Sequence, residues 1–288
     1  MYWARYKIKN KFFNKTIAGL QVMKTFILYF ITSIILLCPS TTHAQTLTTA
    51  TNYPIVLSTF QTTYGDYGRY HGRARNIRVA AELVSGIVLQ PNERFSFNEV
   101  VGERTRENNF SVAPVIGSGR LRSGIGGGVC QLASTIYAAA LYSGMNIIEH
   151  HQHSRISRYI SPGLDATVDW GTKDLVFENP YSFPVVLFVS ILPGRLPAEQ
   201  AVKVTFLAPR HGYEVNVYFN RRINARANTI EEVEQSIPLG QRHVVETGTP
   251  RVQVTMRRRI TNSSNGTETL EQNYMVYPAS DRIFQVSP

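Results

Sequence analysis

The run "GIGGGVCQLAST", residues 124–135, places four glycines in five positions and then a cysteine, Cys130. Glycines adopt backbone conformations closed to other residues and let main-chain N–H groups face a ligand. A helix beginning at the cysteine adds the positive end of its dipole, which favours thiolate over thiol. The N–H groups of Gly126, Gly127 and Gly128 could then hold the oxyanion of a tetrahedral intermediate. That combination fits acyl transfer to sulfur. The competing reading makes Cys130 a small apolar plug, with the glycines serving only close packing.

A nucleophilic cysteine needs a base and a group that orients the base. His150, His151 and His153 cluster in "EHHQHS", and Asp165, Asp169, Asp174 and Asn179 follow downstream. In an extended segment His151 and His153 share a face and His150 points the other way. Three close histidines with a cysteine could instead bind zinc or copper. No acidic or second-cysteine ligand set accompanies them, so neither a metal nor another cofactor is expected. A third possibility leaves the histidines on an exposed strand, where one or none matters.

The elements that must position these groups follow from periodicity. "CQLASTIYAAALYSG" has apolar residues at 132, 133, 136, 137, 140 and 141, a helical stripe over three turns, with Gly144 as its stop. "RNIRVAAELVSG", residues 75–86, predicts a second helix. "IVLQPNERFSFNEVVG" predicts a strand, a turn and a second short strand ending at Gly102, and "FSVAPVI" a short extended piece. "MNIIEHHQHSRISRYI" and "DATVDWGTKDLVFENP" read as short strands, and "FPVVLFVSIL" as a fully apolar one. Beyond Pro193 come "AVKVTFLA", "YEVNVYFN", "RVQVTMRRRI" and "QNYMVYP", each with strand character. The expected fold is α+β: a cysteine-bearing helix packed on a mainly antiparallel sheet over residues 45–195, then a small all-β domain over 196–288.

The first 44 residues predict a secretory signal peptide. Arg5, Lys7, Lys9, Lys11, Lys15 and Lys24 precede an apolar run from Phe26 to Cys38. "PSTTHA" then ends at a small-residue cleavage site near Ala44. Met23 alone could begin such a leader, so it is an alternative start. Of the two cysteines, Cys38 falls in the leader, where bulky Leu37 argues against a lipid-anchor site. The mature chain is left with one thiol in an oxidising compartment, the periplasm or cell envelope. The leader also holds six of the 30 basic residues and none of the 20 acidic ones. The rest carries 24 basic against 20 acidic, a net of +4. No basic stripe interleaved with aromatics is present, which argues against nucleic acid as a partner. No membrane span is expected after cleavage.

Residues 58–190 resemble a VanW domain. The likeness rests on "NERFSFNEVVGERT", on "VIGSGRLRSGIGGGVCQLASTIYAAALYSGMNIIEHHQHS" and on "YISPGLDATVDWGTKDLVFENPYSFPVVL". The resemblance implies a thiol-dependent peptidoglycan transpeptidase or peptidase, making the L,D type of cross-link on stem peptides, with a link to glycopeptide resistance. It implies Cys130 as nucleophile, the His153 of "HS" as base and the Asp165 of "DATV" as orienter. Gly126, Gly127, Gly128, Gln131, Ser154, Asn179 and the Arg104 of "GERT" become candidates for oxyanion and substrate binding. Where many members carry arginine before the "HS" motif, this chain has His150. The tail after residue 195 is faintly similar to a G5 module. The alternative function is a non-catalytic envelope protein that only holds peptide or glycan.

Overall fold

The computed structural model describes residues 52–117 and 120–288; the expected leader and its cleavage site lie outside them. Strand β1 (Ile55–Gly65) opens the described chain and leads through a short 3-10 turn into helix α1 (His71–Val84). Strands β2 (Ile87–Leu89) and β3 (Arg94–Ser96) follow, then helix α2 (Phe97–Val101). The hairpin β4 (Val112–Gly117) and β5 (Arg120–Ile125) delivers the chain to helix α3 (Val129–Tyr142), which carries Cys130 in its first turn. Strands β6 (Asn146–Glu149), β7 (Val176–Glu178), β8 (Val185–Pro193) and β9 (Glu199–Ala208) come next.

One four-stranded antiparallel sheet, in the order β1-β9-β8-β2, forms the platform beneath the two longer helices. Its centre is apolar because β9 alternates: Val202, Val204, Phe206 and Ala208 all point inward and are buried. The boundary expected near residue 195 falls at the turn between β8 and β9, two paired strands of this sheet. The compositional change there is real, yet the strand after it sits between β8 and β1.

Helix α3 lies against β1 and β9 and is buried on nearly every side. A helix so enclosed needs partners for its few polar groups. They are present. Ser58 donates to the Ala139 carbonyl at 2.7 Å, and the hydroxyls of Thr62 and Thr135 meet at 2.9 Å.

Six further strands complete the molecule: β10 (Tyr213–Ala225), β11 (Thr229–Val233), β12 (Arg242–Thr249), β13 (Arg251–Asn262), β14 (Glu268–Tyr277) and β15 (Ser280–Val286). They form the sheets β10-β13-β14 and β11-β15-β12, antiparallel except where β11 runs parallel to β15. Arg258, on β13, reaches back to α3. Its guanidinium donates to the carbonyls of Leu141 and Met145 at 3.3 and 2.9 Å and pairs with Glu271 at 2.7 Å. A cation among the free carbonyls of a helix C-terminus both satisfies them and favours the dipole.

Two local expectations are corrected. The second strand of "RFSFNEVVG" stops at Ser96, and Phe97–Val101 is helical. The cause is an N-cap: Ser96 Oγ accepts the Glu99 N–H at 3.0 Å, the Ser-x-x-Glu spacing of a capping box. The "DATVDW" stretch is irregular rather than a strand. Ser134 on α3 takes the Ala166 N–H at 2.9 Å and donates to the Ala166 carbonyl at 3.1 Å, and Thr167 N bonds the His151 carbonyl at 2.7 Å. Groups tied to a helix and a loop are not available for a strand ladder.

Candidate active site

Gly128 is the N-cap of α3, with φ +107°, a conformation that L side chains rarely adopt. A Cβ there would lie 2.8 Å from Arg73 Cγ and 3.1 Å from the Arg73 carbonyl oxygen. At Gly127 a Cβ would come within 2.4 Å of the Pro114 carbonyl oxygen. The glycines therefore permit both the sharp entry and the close packing of α3 on α1 and β4. Among the described residues, the N–H groups of Gly127, Gly128 and Cys130 make no hydrogen bond. Gly126 N–H is taken by the Ser111 carbonyl at 3.1 Å. Three free donors thus stand at the start of the helix that carries the thiol.

Cys130 is half-buried, and its Sγ lies 3.5 Å from the Val168 carbonyl. His153 stands near enough to the sulfur to act on its charge. The other face of that imidazole is fixed: Asp165 Oδ2 accepts from Nδ1 at 2.8 Å and from the His153 main-chain N–H at 2.8 Å. The Nδ1 bond leaves Nε2 clear of the carboxylate. The Tyr159 hydroxyl stands 3.4 Å from Nε2 and 3.3 Å from Ser134 Oγ. Asp165 is almost wholly buried at 1% exposure, and its Oδ1 accepts from the hydroxyl of Tyr277 and, at 3.4 Å, from Gly163 N–H. A buried carboxylate with four donors stays ionised.

The electrostatics follow from that chain of contacts. Burial works against charge on Cys130, but the hydrogen bond and charge of His153, the Val168 contact and the Arg104 charge together carry its pKa below the ordinary thiol value. Burial opposes the imidazolium as well. The Asp165 and Cys130 hydrogen bonds outweigh it and push His153 up to about 9. Desolvation of Asp165 is likewise outweighed by the His153 and Tyr277 hydrogen bonds, which hold its carboxyl below the usual range. The arrangement shifts the pair toward thiolate and imidazolium.

Two arginines flank the sulfur. Arg73, on α1, lies 5.7 Å above the Tyr159 ring and donates to Gln131 Oε1 at 2.5 Å. Arg104, just after α2, lies 5.5 Å from the Phe97 ring centre. Beside Arg73 opens a cleft of about 690 Å³, whose lining includes Tyr64, Gln131, Tyr159 and, from β12, Val244 and Glu246.

The other expected residues distribute as follows. Gln131 faces β1, donating to Thr62 Oγ1 and the Thr63 carbonyl at 2.9 Å each, so its amide is occupied away from the sulfur. Asn179 is fully buried and bridges the carbonyls of Leu89, Gln90 and Phe183, a loop clamp not brought to the thiol. Ser154 is exposed and makes no hydrogen bond among the described residues. Asp169 and Asp174 bond Thr172 and Ser96 respectively. The three histidines diverge: His150 Nε2 meets the Asp165 carbonyl at 2.8 Å, and its ring stacks on Tyr137. His151 meets Glu149 at 2.8 Å. Among the described residues no group of three His, Cys, Asp or Glu could hold a metal ion. Sequence reasoning missed Arg73, Tyr159 and Tyr277. Only Tyr277 lacked any signal, since it stands 112 residues from its partner.

Residues 72–200 match the family model described as VanW like protein, and this part of the chain is a VanW-like region. It holds the glycine loop, Cys130, His153, Asp165 and both flanking arginines; Tyr277 lies beyond it. The protein YoaR of Bacillus subtilis is 44% identical over 115 residues, 40% of this chain and 38% of that protein. The vancomycin B-type resistance protein VanW of Enterococcus faecalis is 25% identical over 122 residues, 40% of this chain and 44% of that protein. The match therefore spans less than half the length of either relative. A crystal structure of HP0197-G5 is matched at 14% identity, over 26% of this chain and 96% of that one, with a TM-score of 0.15, too low to speak for a shared fold.

Proposed function

We propose that this chain is a cysteine-dependent acyltransferase of the cell envelope, acting on peptidoglycan stem peptides. The observation that carries the reading is the buried Asp165–His153 pair, close enough to act on Cys130, which stands at a helix start with free N–H groups. The Cys130 thiolate attacks a stem-peptide carbonyl and forms a C–S bond. The free N–H groups of Gly127, Gly128 and Cys130 stabilise the oxyanion. As the intermediate collapses the C–N bond breaks, and His153 gives its proton to the departing amine. An amine of a second stem, or water, then loses a proton to His153 and attacks the thioester, which restores the thiolate and the imidazolium. Amine as acceptor gives a transpeptidase; water gives a peptidase.

Export to the periplasm or envelope is part of the proposal, supported by the basic-then-apolar leader and a lone thiol in the remainder. A connection with glycopeptide resistance is supported by the likeness to the vancomycin B-type resistance protein. The test is intact-mass spectrometry of the purified chain with soluble peptidoglycan fragments. An adduct of stem-peptide mass on Cys130, absent in Cys130→Ala, is expected. Binding of fragments with no adduct and no new product would leave the chain a binding protein.

A further inference from the structure

The guanidinium of Arg104 is the least satisfied group near the thiol. Its Nη1 and Nη2 are both buried, and neither makes a hydrogen bond. Buried charged donors without a partner are costly, and native structures rarely keep them without reason. The acidic groups nearby do not serve. Asp174 accepts from Ser96 Oγ at 2.5 Å, from Asn98 N–H at 2.9 Å and from Leu175 N–H at 2.7 Å. Asp169 accepts from Thr172 Oγ1 at 2.7 Å. Both act on Arg104 only through space, as does the cysteine sulfur. Arg73, the other cation that acts on Cys130, already has Gln131, so the two arginines are not equivalent.

Packing fixes Arg104 in place. Its side chain lies against the Phe97 ring, and its Cβ stands 2.8 Å from where a Cβ on Gly126 would be. Any bulkier residue at position 126 would displace it. The glycine loop thus seats this arginine as well as turning into α3. Two parallel donors on one rigid fork match the two oxygens of a carboxylate.

We infer that Arg104 is a receptor for a substrate carboxylate placed next to the bond that Cys130 attacks. The inference rests on the acyl-transfer reading and deepens it. The acyl donor would be a peptide whose leaving residue carries a free carboxylate. Arg104 is then a specificity residue: it selects free-acid termini and rejects amidated ones, because an amide leaves the guanidinium buried and unpaired.

The experiment compares two probes on the full chain, a soluble stem tetrapeptide and its C-terminal amide. Calorimetric titration of Cys130→Ala reads binding without chemistry. The free acid should bind about tenfold tighter or more, the scale of one charge-assisted hydrogen bond. Adding Arg104→Gln should bring the two probes within about twofold, and Arg104→Lys should keep part of the preference. Equal binding of acid and amide to Cys130→Ala, no binding of the acid, or a preference that survives Arg104→Gln would each overturn the inference. Discrimination by Cys130→Ala without any wild-type adduct would sink acyl transfer and leave the carboxylate site standing. Equal adduct yields from acid and amide would do the reverse.

Discussion

At the scale of residues, the proposed thiol, base and orienting acid form a relay whose members differ in legibility. Cys130 stood out because glycine and a lone thiol are rare neighbours, and His153 and Asp165 came from a resemblance rather than from spacing. Asn179 and Gln131 show that a polar side chain beside a motif can have its amide taken up by scaffolding, which composition does not reveal. The relay predicts a basic limb. Because His153 titrates at about 9, its proton for the leaving amine is lost as pH rises through that value, and kcat/KM for acyl transfer should fall there. A profile flat to well above that pH would contradict the role. Asp165 gives a stability prediction of opposite sign. Its folded pKa is depressed, so its stabilisation is complete above about 4 and is lost as pH falls further. Denaturant titrations of Asp165→Asn against wild type should show a gap at pH 7 that narrows at pH 3. An unchanged gap would mean the carboxylate is not the source.

At the scale of elements, the helix that carries Cys130 was readable from its apolar stripe, and the structure places it at Val129–Tyr142. Its supports were not readable, because they are polar rungs from β1 and a carboxylate-bearing loop far off in sequence. The α2 helix was missed although Ser96 and Glu99 stand in capping-box spacing; a strand pattern just before it masked the cap. Removing that cap with Ser96→Ala should cost about 1 kcal/mol in chemical denaturation, with Asp174 losing a donor as well. The glycines divide by position: one in a distant turn, one in the loop before α3. Gly171, at φ +77° with open space around its would-be Cβ, should accept alanine for about 1 kcal/mol. Gly127→Ala, facing the Pro114 carbonyl, should destabilise by several-fold more and displace α3. Equal losses at the two positions would show that the loop is not packed as described.

At the scale of the whole molecule, the strands after residue 209 do more than follow the VanW-like region. Tyr277 on β14 donates to Asp165 and accepts from Gly163 N–H at 2.8 Å, while Arg258 on β13 caps α3. Neither dependence could be read from the sequence, since both link segments more than 100 residues apart. Tyr277→Phe keeps the ring in its buried site and removes both bonds. It should cost about 1–3 kcal/mol and weaken thiolate activation through Asp165. A Tyr277→Phe protein with wild-type stability and thiol reactivity would detach β14 from the site.

The central claim is that Cys130 is held as a thiolate by His153. The rate of its alkylation by iodoacetamide, followed against pH in the folded wild-type chain and in His153→Gln, tests that claim most directly. The wild type should show an inflection well below the ordinary thiol value of about 8.5, moving up in His153→Gln. An inflection near 8.5 or above in both proteins, or labelling only after denaturation, would return Cys130 to the packed interior and contradict the account.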